Sequence, residues 1–315
     1  MNRRRFLALT AAPFLFRASS VLGATIPRAL VTCDTESRIA IVDLVAGRVL
    51  GSIPVASGPK SVERVGTGLA LVCHTGSGLV TIVDGRAGAV RHVLHGFGEP
   101  RYTARHPDGV HAFVTDSGRG VVGALDVRRG VVLGSVDLGG PARHVTLAPD
   151  GRTLWTALGS SASRVSIVDV SDPARPRLLH NFSPPFLAHD VGFFPDGQRT
   201  WITAGTAEAM AVYDAGRRLR LLRTDPGPQH VTFGTGVAYV TSGVAGTFRL
   251  QSLSDGSIRR ETRVPVGSYN VQSGPGGLVL TPSLVHGTLC VLDARGRLVH
   301  TVKVSASSHD ACFVF

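Results

Sequence analysis

The chain has 315 residues, 43% of them hydrophobic and 17% charged, with a formal net charge of +11. Its 38 Gly and 18 Pro fall at regular intervals between short apolar runs, which excludes a disordered chain and marks turns between strands. The excess charge is scattered Arg with only Lys60 and Lys303 as Lys. It predicts weak attraction to nucleic acid but, without an aromatic-plus-basic platform, no specific recognition.

Residues 1–24 read as an export signal of the twin-arginine type. Asn2-Arg3-Arg4-Arg5-Phe6-Leu7 opens it, an apolar run from Phe6 to Phe16 follows, and Leu22-Gly23-Ala24 offers a cleavage site. The run is too short to span a membrane, and Arg17 ends it. Removal of Arg3, Arg4, Arg5 and Arg17, with no acid before residue 25, would lower +11 to +7. The expectation is a periplasmic or secreted protein.

From residue 25 to 315 one phrase repeats: strand, tight turn, strand. It reads Tyr102 to Gly109 then Ala112 to Thr115, His144 to Gly151 then Leu154 to Ala157, and Asp190 to Gly197 then Thr200 to Thr203. In each the turn is Pro-Asp-Gly: Pro fixes φ, Asp caps its own backbone and Gly tolerates positive φ. Worn copies start at Val62, His230 and Asn270. Aligned on Thr32, Cys73, Thr115, Thr156, Thr203, Thr241 and Thr281, the units step by 41, 42, 41, 47, 38 and 40 residues. A third strand in most units ends in Asp, as at Asp43, Asp84, Asp126, Asp169, Asp214 and Asp293. Units of this length with four short strands are propeller blades.

The ends fit together. Residues 29–54 supply the second, third and fourth strands of a blade, and His309 to Phe315 reads as a first strand without a partner. The predicted fold is all-β: a single-domain, monomeric seven-bladed β-propeller of four-stranded antiparallel blades, with the N- and C-terminal strands sharing the closing blade. Only the fourth unit is enlarged, at Gly159 to Ser163 and between Ser171 and Pro185. Cys33, Cys73, Cys290 and Cys312 match no metal-binding spacing and read as small buried residues. Closure puts Cys33 and Cys312 on adjacent strands but diagonal in register, so a disulfide between them stays open. Trp155 and Trp201, early in second strands, read as core.

The Pro-Asp-Gly phrases at 107–109, 149–151 and 195–197, with the Val-Asp endings of the third strands, resemble the YVTN-repeat propellers, including the YncE-like exported proteins. The resemblance runs from about residue 28 to 315. It implies the fold and says little about activity, because that superfamily holds binding proteins, lactonases, lyases, and haem- and copper-containing reductases.

In a propeller the first strand of each blade lines the central channel. The residues entering those strands are Lys60/Ser61, Arg101/Tyr102, Arg143/His144, His189/Asp190, Gln229/His230, Tyr269/Asn270 and His309/Asp310. They are far more polar than the strands they open. One reading makes the mouth a binding surface for a small molecule or protein, through Arg101, Tyr102, Arg143, Gln229, Tyr269 and Asn270; the chain is then a binding or scaffold protein. A second makes His144, His189, His230 and His309 ligands of Cu or Zn, with Asp190 or Asp310 as ligand or support, in a copper-type oxidoreductase. A third pairs Arg101 and Arg143 with a His acid–base for a lactonase or lyase acting on a small anion. Against convergence of all four His, His189 and His309 precede Asp while His144 and His230 stand one position later, and neighbouring side chains in a strand point opposite ways. In that bland alternative the His satisfy turn carbonyls.

Overall fold

The computed structural model describes residues 27–214 and 216–314. The export signal expected at residues 1–24 lies outside the described residues. Within them, the strands form seven four-stranded antiparallel sheets, each meeting the next around a ring. Blade 1 combines Ala311–Val314 with Arg28–Cys33, Arg38–Asp43 and Arg48–Pro54. The inner strands of blades 2 to 7 are Pro59–Arg64, Pro100–Arg105, Val145–Leu147, Ala188–Phe193, His230–Gly234 and Gln272–Ser273. Among the described residues no helix is long and apolar enough to cross a membrane.

Closure follows the sequence expectation. Val314 lies opposite Arg28, Phe313 opposite Ala29, Cys312 opposite Leu30 and Ala311 opposite Val31. The amide of Thr32 extends this ladder to the Asp310 carbonyl at 2.9 Å. The ring therefore has no open edge at its seam. Leu30 and Cys33 stand at positions of opposite parity, so Cys312 and Cys33 face opposite sides of blade 1. Cys33 packs with Val31 and Phe313, Cys312 with Leu30 and Val314. All four Cys are buried free thiols.

The apolar runs of the second and third strands face neighbouring blades on both sides, which is why they read as continuous rather than alternating. Phe113, Trp201 and Phe248 are fully buried there, and Trp155 nearly so. Outer strands such as Arg48–Pro54 and Arg217–Arg223 are mostly exposed. The Asp at the end of most third strands builds the next turn: Asp43 Oδ1 accepts the amides of Val45 and Ala46, both at 2.9 Å. The Pro-Asp-Gly turns work alike. Asp108 Oδ1 accepts from Val110 at 2.8 Å and His111 at 2.9 Å, and Gly109 takes φ +66°.

Candidate metal centre in the central channel

Bulges at the channel mouth aim the site residues. In blade 5, Ala188 opposes Ala204 and Val191 opposes Ile202, so His189 and Asp190 both stand against Thr203. In blade 3, Arg101 and Tyr102 share Thr115 in the same way. In blade 2, Lys60 is the extra residue between Pro59 and Ser61. A bulge interrupts the two-residue alternation and re-aims the side chains that follow.

Polar side chains then join each blade to the next at this level. Thr115 Oγ1 accepts from the Tyr102 amide at 3.0 Å and donates to the Arg143 carbonyl at 2.6 Å. Thr203 Oγ1 accepts from the Asp190 amide at 3.0 Å and donates to the Gln229 carbonyl at 2.8 Å. Thr241 donates to the Tyr269 carbonyl, Ser61 to that of Arg101 at 2.6 Å, and Asn270 to that of His309 at 2.7 Å. Two imidazoles complete the circle: His309 Nδ1 donates to the Lys60 carbonyl at 2.8 Å, and His189 Nδ1 to the Ser160 carbonyl at 2.7 Å. Carbonyl oxygens only accept, so both rings carry their proton on Nδ1 and keep Nε2 as a lone-pair nitrogen.

Three of the four expected histidines converge. His144, His189 and His230 each bring a ring nitrogen within 4.8 Å of the others, and all three are buried. Their ring centroids are 4.3, 4.8 and 5.4 Å apart. His230 Nδ1 faces Asp190 Oδ2 at 3.2 Å, which leaves its Nε2 available. His144 is different: both of its nitrogens are buried without a hydrogen-bond partner. Tyr102 leans on His144 with ring centroids 4.3 Å apart, and His309 lies beyond it at 6.3 Å, outside the triad.

Burial, then the neighbouring His189 and His230, push the His144 imidazole well below its ordinary value. Burial, then His230, brings His189 down to about 4. Burial brings His309 down to about 3 despite the Lys60 carbonyl. These rings are neutral at neutral pH, the form a metal needs. Burial also pushes Tyr102 up and Asp310 well above the usual carboxylate range. Asp310 is occupied in tying blades together: it accepts from the Val62 amide at 3.0 Å and the Ala311 amide at 2.8 Å.

The donor set fits a borderline metal ion. Three imidazoles are ligands for Zn or Cu, and ligating His typically donates its far nitrogen to a carbonyl or carboxylate, as His189 does to Ser160, while His230 Nδ1 stands 3.2 Å from Asp190 Oδ2. Zn–N bonds of about 2.0–2.1 Å place tetrahedral ligand nitrogens roughly 3.3 Å apart, so nitrogens within 4.8 Å of one another need close by no more than about 1.5 Å to hold an ion.

Below the triad lies a polar cavity of about 270 Å³ lined by His144, Asp190, His230, Asn270 and Asp310. Above it, a mouth cavity of about 190 Å³ is lined by Lys60, Arg101, Tyr102, Arg143 and His309. Tyr102 borders both. Gln229 and Tyr269, grouped with these at the sequence level, line neither: Gln229 Oε1 accepts from the Gly243 amide at 3.3 Å, and the Tyr269 ring lies against Gly243. Two participants are absent from the sequence reading. Ser160 sits in the enlarged fourth unit, and Glu63 lines the channel, accepting from Gln272 Nε2 at 2.8 Å. Glu63 stands two residues after Ser61, so the two-residue period of an inner strand was its signal.

No protein-family profile matches the chain, and no curated protein matches it. Many solved structures do. A protein from Lactobacillus plantarum is 14% identical, with a TM-score of 0.76 over 92% of this chain and 99% of that one. Hydrazine synthase from Kuenenia stuttgartiensis is 15% identical, with a TM-score of 0.67 over 80% of this chain and 88% of that one. The dihydro-heme d1 dehydrogenase NirN in complex with DHE is 13% identical, with a TM-score of 0.67 over 91% of this chain and 75% of that one. At these identities the likeness shows the fold alone: the chain is a seven-bladed β-propeller.

Proposed function

We propose that this chain is an exported, YVTN/YncE-like propeller that holds one Zn or Cu ion on His144, His189 and His230. The observation that carries this reading is His144, whose two buried ring nitrogens have no partner. An unsatisfied buried polar group costs about 1–3 kcal/mol, and a metal bond removes that cost for the lone-pair nitrogen of the ring. The bland alternative, in which the histidines satisfy turn carbonyls, accounts for His189 and His309 but not for His144. Three protein ligands leave a fourth position open, the pattern of ions that bind a small molecule and of copper or zinc enzymes. A metal-free binding or scaffold propeller is the competing reading; it explains the polar mouth but gives the triad no purpose.

The test is stoichiometry. Chelator-stripped protein dialysed against Zn(II) or Cu(II) is expected to retain one ion per chain, and His144→Ala to retain none. Absence of retained metal in the wild type returns the protein to the scaffold reading.

A further inference from the structure

We infer that the mouth cavity above Tyr102 is a pocket for a small oxyanion, a carboxylate or phosphate, gripped by Arg143. Three cations line this cavity, and two are already engaged. Lys60 Nζ meets Asp34 Oδ2 at 2.9 Å, and Arg101 Nη2 meets Glu99 Oε2 at 2.7 Å. Arg143 makes no ion pair among the described residues, and its Nε is buried without an acceptor. The Nε of Arg101 is in the same state. A guanidinium cannot shed its charge, and it presents donors only. Both guanidinium groups therefore line the cavity, each with a buried Nε that has no acceptor, and the neutral Tyr102 hydroxyl is the neighbour that meets Arg143.

The cavity has the size for an acceptor from outside. Its volume of about 190 Å³ compares with about 30 Å³ for one water, room for inorganic phosphate or a short carboxylic acid. The planar fork of Arg matches both oxyanions. The pocket also adjoins the triad, since Tyr102 lines both cavities and packs on His144. A divalent ion beside an Arg143 that has no carboxylate partner leaves excess positive charge at a half-buried mouth, and a bound anion offsets it. This coupling rests on the metal reading; the pocket itself does not.

The experiment uses chelator-stripped protein in low-chloride buffer, titrated by calorimetry with inorganic phosphate and separately with acetate. Saturable one-to-one binding of at least one is expected. Arg143→Gln should weaken it about tenfold or more, as loss of a charge-assisted hydrogen bond does. Arg218→Gln, on the exposed outer strand of blade 5, should leave it unchanged. Should Arg143→Gln not fold, Arg143→Lys keeps the charge, loses the fork and is expected to bind several-fold more weakly. Phosphate binding without acetate binding assigns a phosphate site; binding of both assigns a carboxylate-sized one. No saturable binding of either, equal binding in wild type and Arg143 variants, or equal weakening by Arg218→Gln overturns the inference. A Zn(II) titration in parallel keeps the two ideas apart: if no zinc binds but Arg143-dependent anion binding persists, only the metal reading falls.

Discussion

The carbonyl oxygen of Ser160 lies 2.7 Å from Nδ1 of His189, so a loop of blade 4 fixes a candidate ligand of blade 5. The loop is docked by reciprocal backbone bonds between Ala162 and Ala188, at 2.7 and 2.8 Å. It approaches so closely because residue 205 is Gly: a Cβ there would stand 2.6 Å from the Ser160 oxygen. Gly205→Ala is expected to displace the loop and cost about 1–3 kcal/mol, as overpacking does. Metal affinity should fall with it. Chemical denaturation and competition with a chromophoric chelator measure the two effects. Unchanged metal affinity in a destabilised variant would show that the loop does not hold His189.

The bulge hydroxyls make a separate prediction. Thr203→Val keeps the shape but removes the group between the Asp190 amide and the Gln229 carbonyl. Leaving a buried amide unpaired costs about 1–3 kcal/mol, whereas Thr203→Ser should cost far less. Equal stability of the Val and Ser variants in urea would contradict this role.

The closing strand is energetic as well as topological. Phe313 is 4% exposed and packs against Val31, Val302 and Val304. Phe313→Ala is expected to cost about 3–5 kcal/mol, read as a lower urea midpoint with unchanged slope. A cost near zero would mean the last strand is dispensable to the ring.

How much of this was legible from sequence follows the physics of each feature. The blades were readable because turn chemistry repeats: Pro-Asp-Gly and the strand-ending Asp act within a few residues of themselves. The closure was readable because an unpaired first strand and an incomplete opening blade need each other. Convergence of His144, His189 and His230 was not, because strict alternation set His189 out of phase. The bulge that puts His189 and Asp190 on one partner, Thr203, is a relation between strands that no local pattern displays. The Ser160 contact is longer-ranged still, joining residues 29 positions apart.

Glu63 yields a pH prediction. Burial pushes its carboxyl from an ordinary 4.5 up to about 7, against the opposing pull of Arg105 and Gln272. Between those values the folded chain holds a proton that the unfolded chain releases, so this group's contribution is lost as pH rises through the window. His189 and His309 act in the other direction, taking up protons on unfolding as pH falls below their ordinary 6.5. Glu63→Gln isolates the first effect. Its stability relative to wild type should be smallest near pH 4, grow as pH rises towards 7 and then level off in urea denaturation. A difference constant with pH would show that Glu63 titrates normally.

The export reading has its own test. A folded reporter fused behind residues 1–24 should reach the periplasm of a bacterial host, and Arg3→Lys with Arg4→Lys should retain it inside. Export that is indifferent to both Arg would point to another route.

The central claim is a metal held by three imidazoles, and electron paramagnetic resonance of the Cu(II)-loaded protein addresses it most directly. One copper per chain is expected, with nitrogen splitting from three imidazoles in the wild type and from two at most in His144→Ala. A spectrum that the His144, His189 and His230 variants leave unchanged would contradict it.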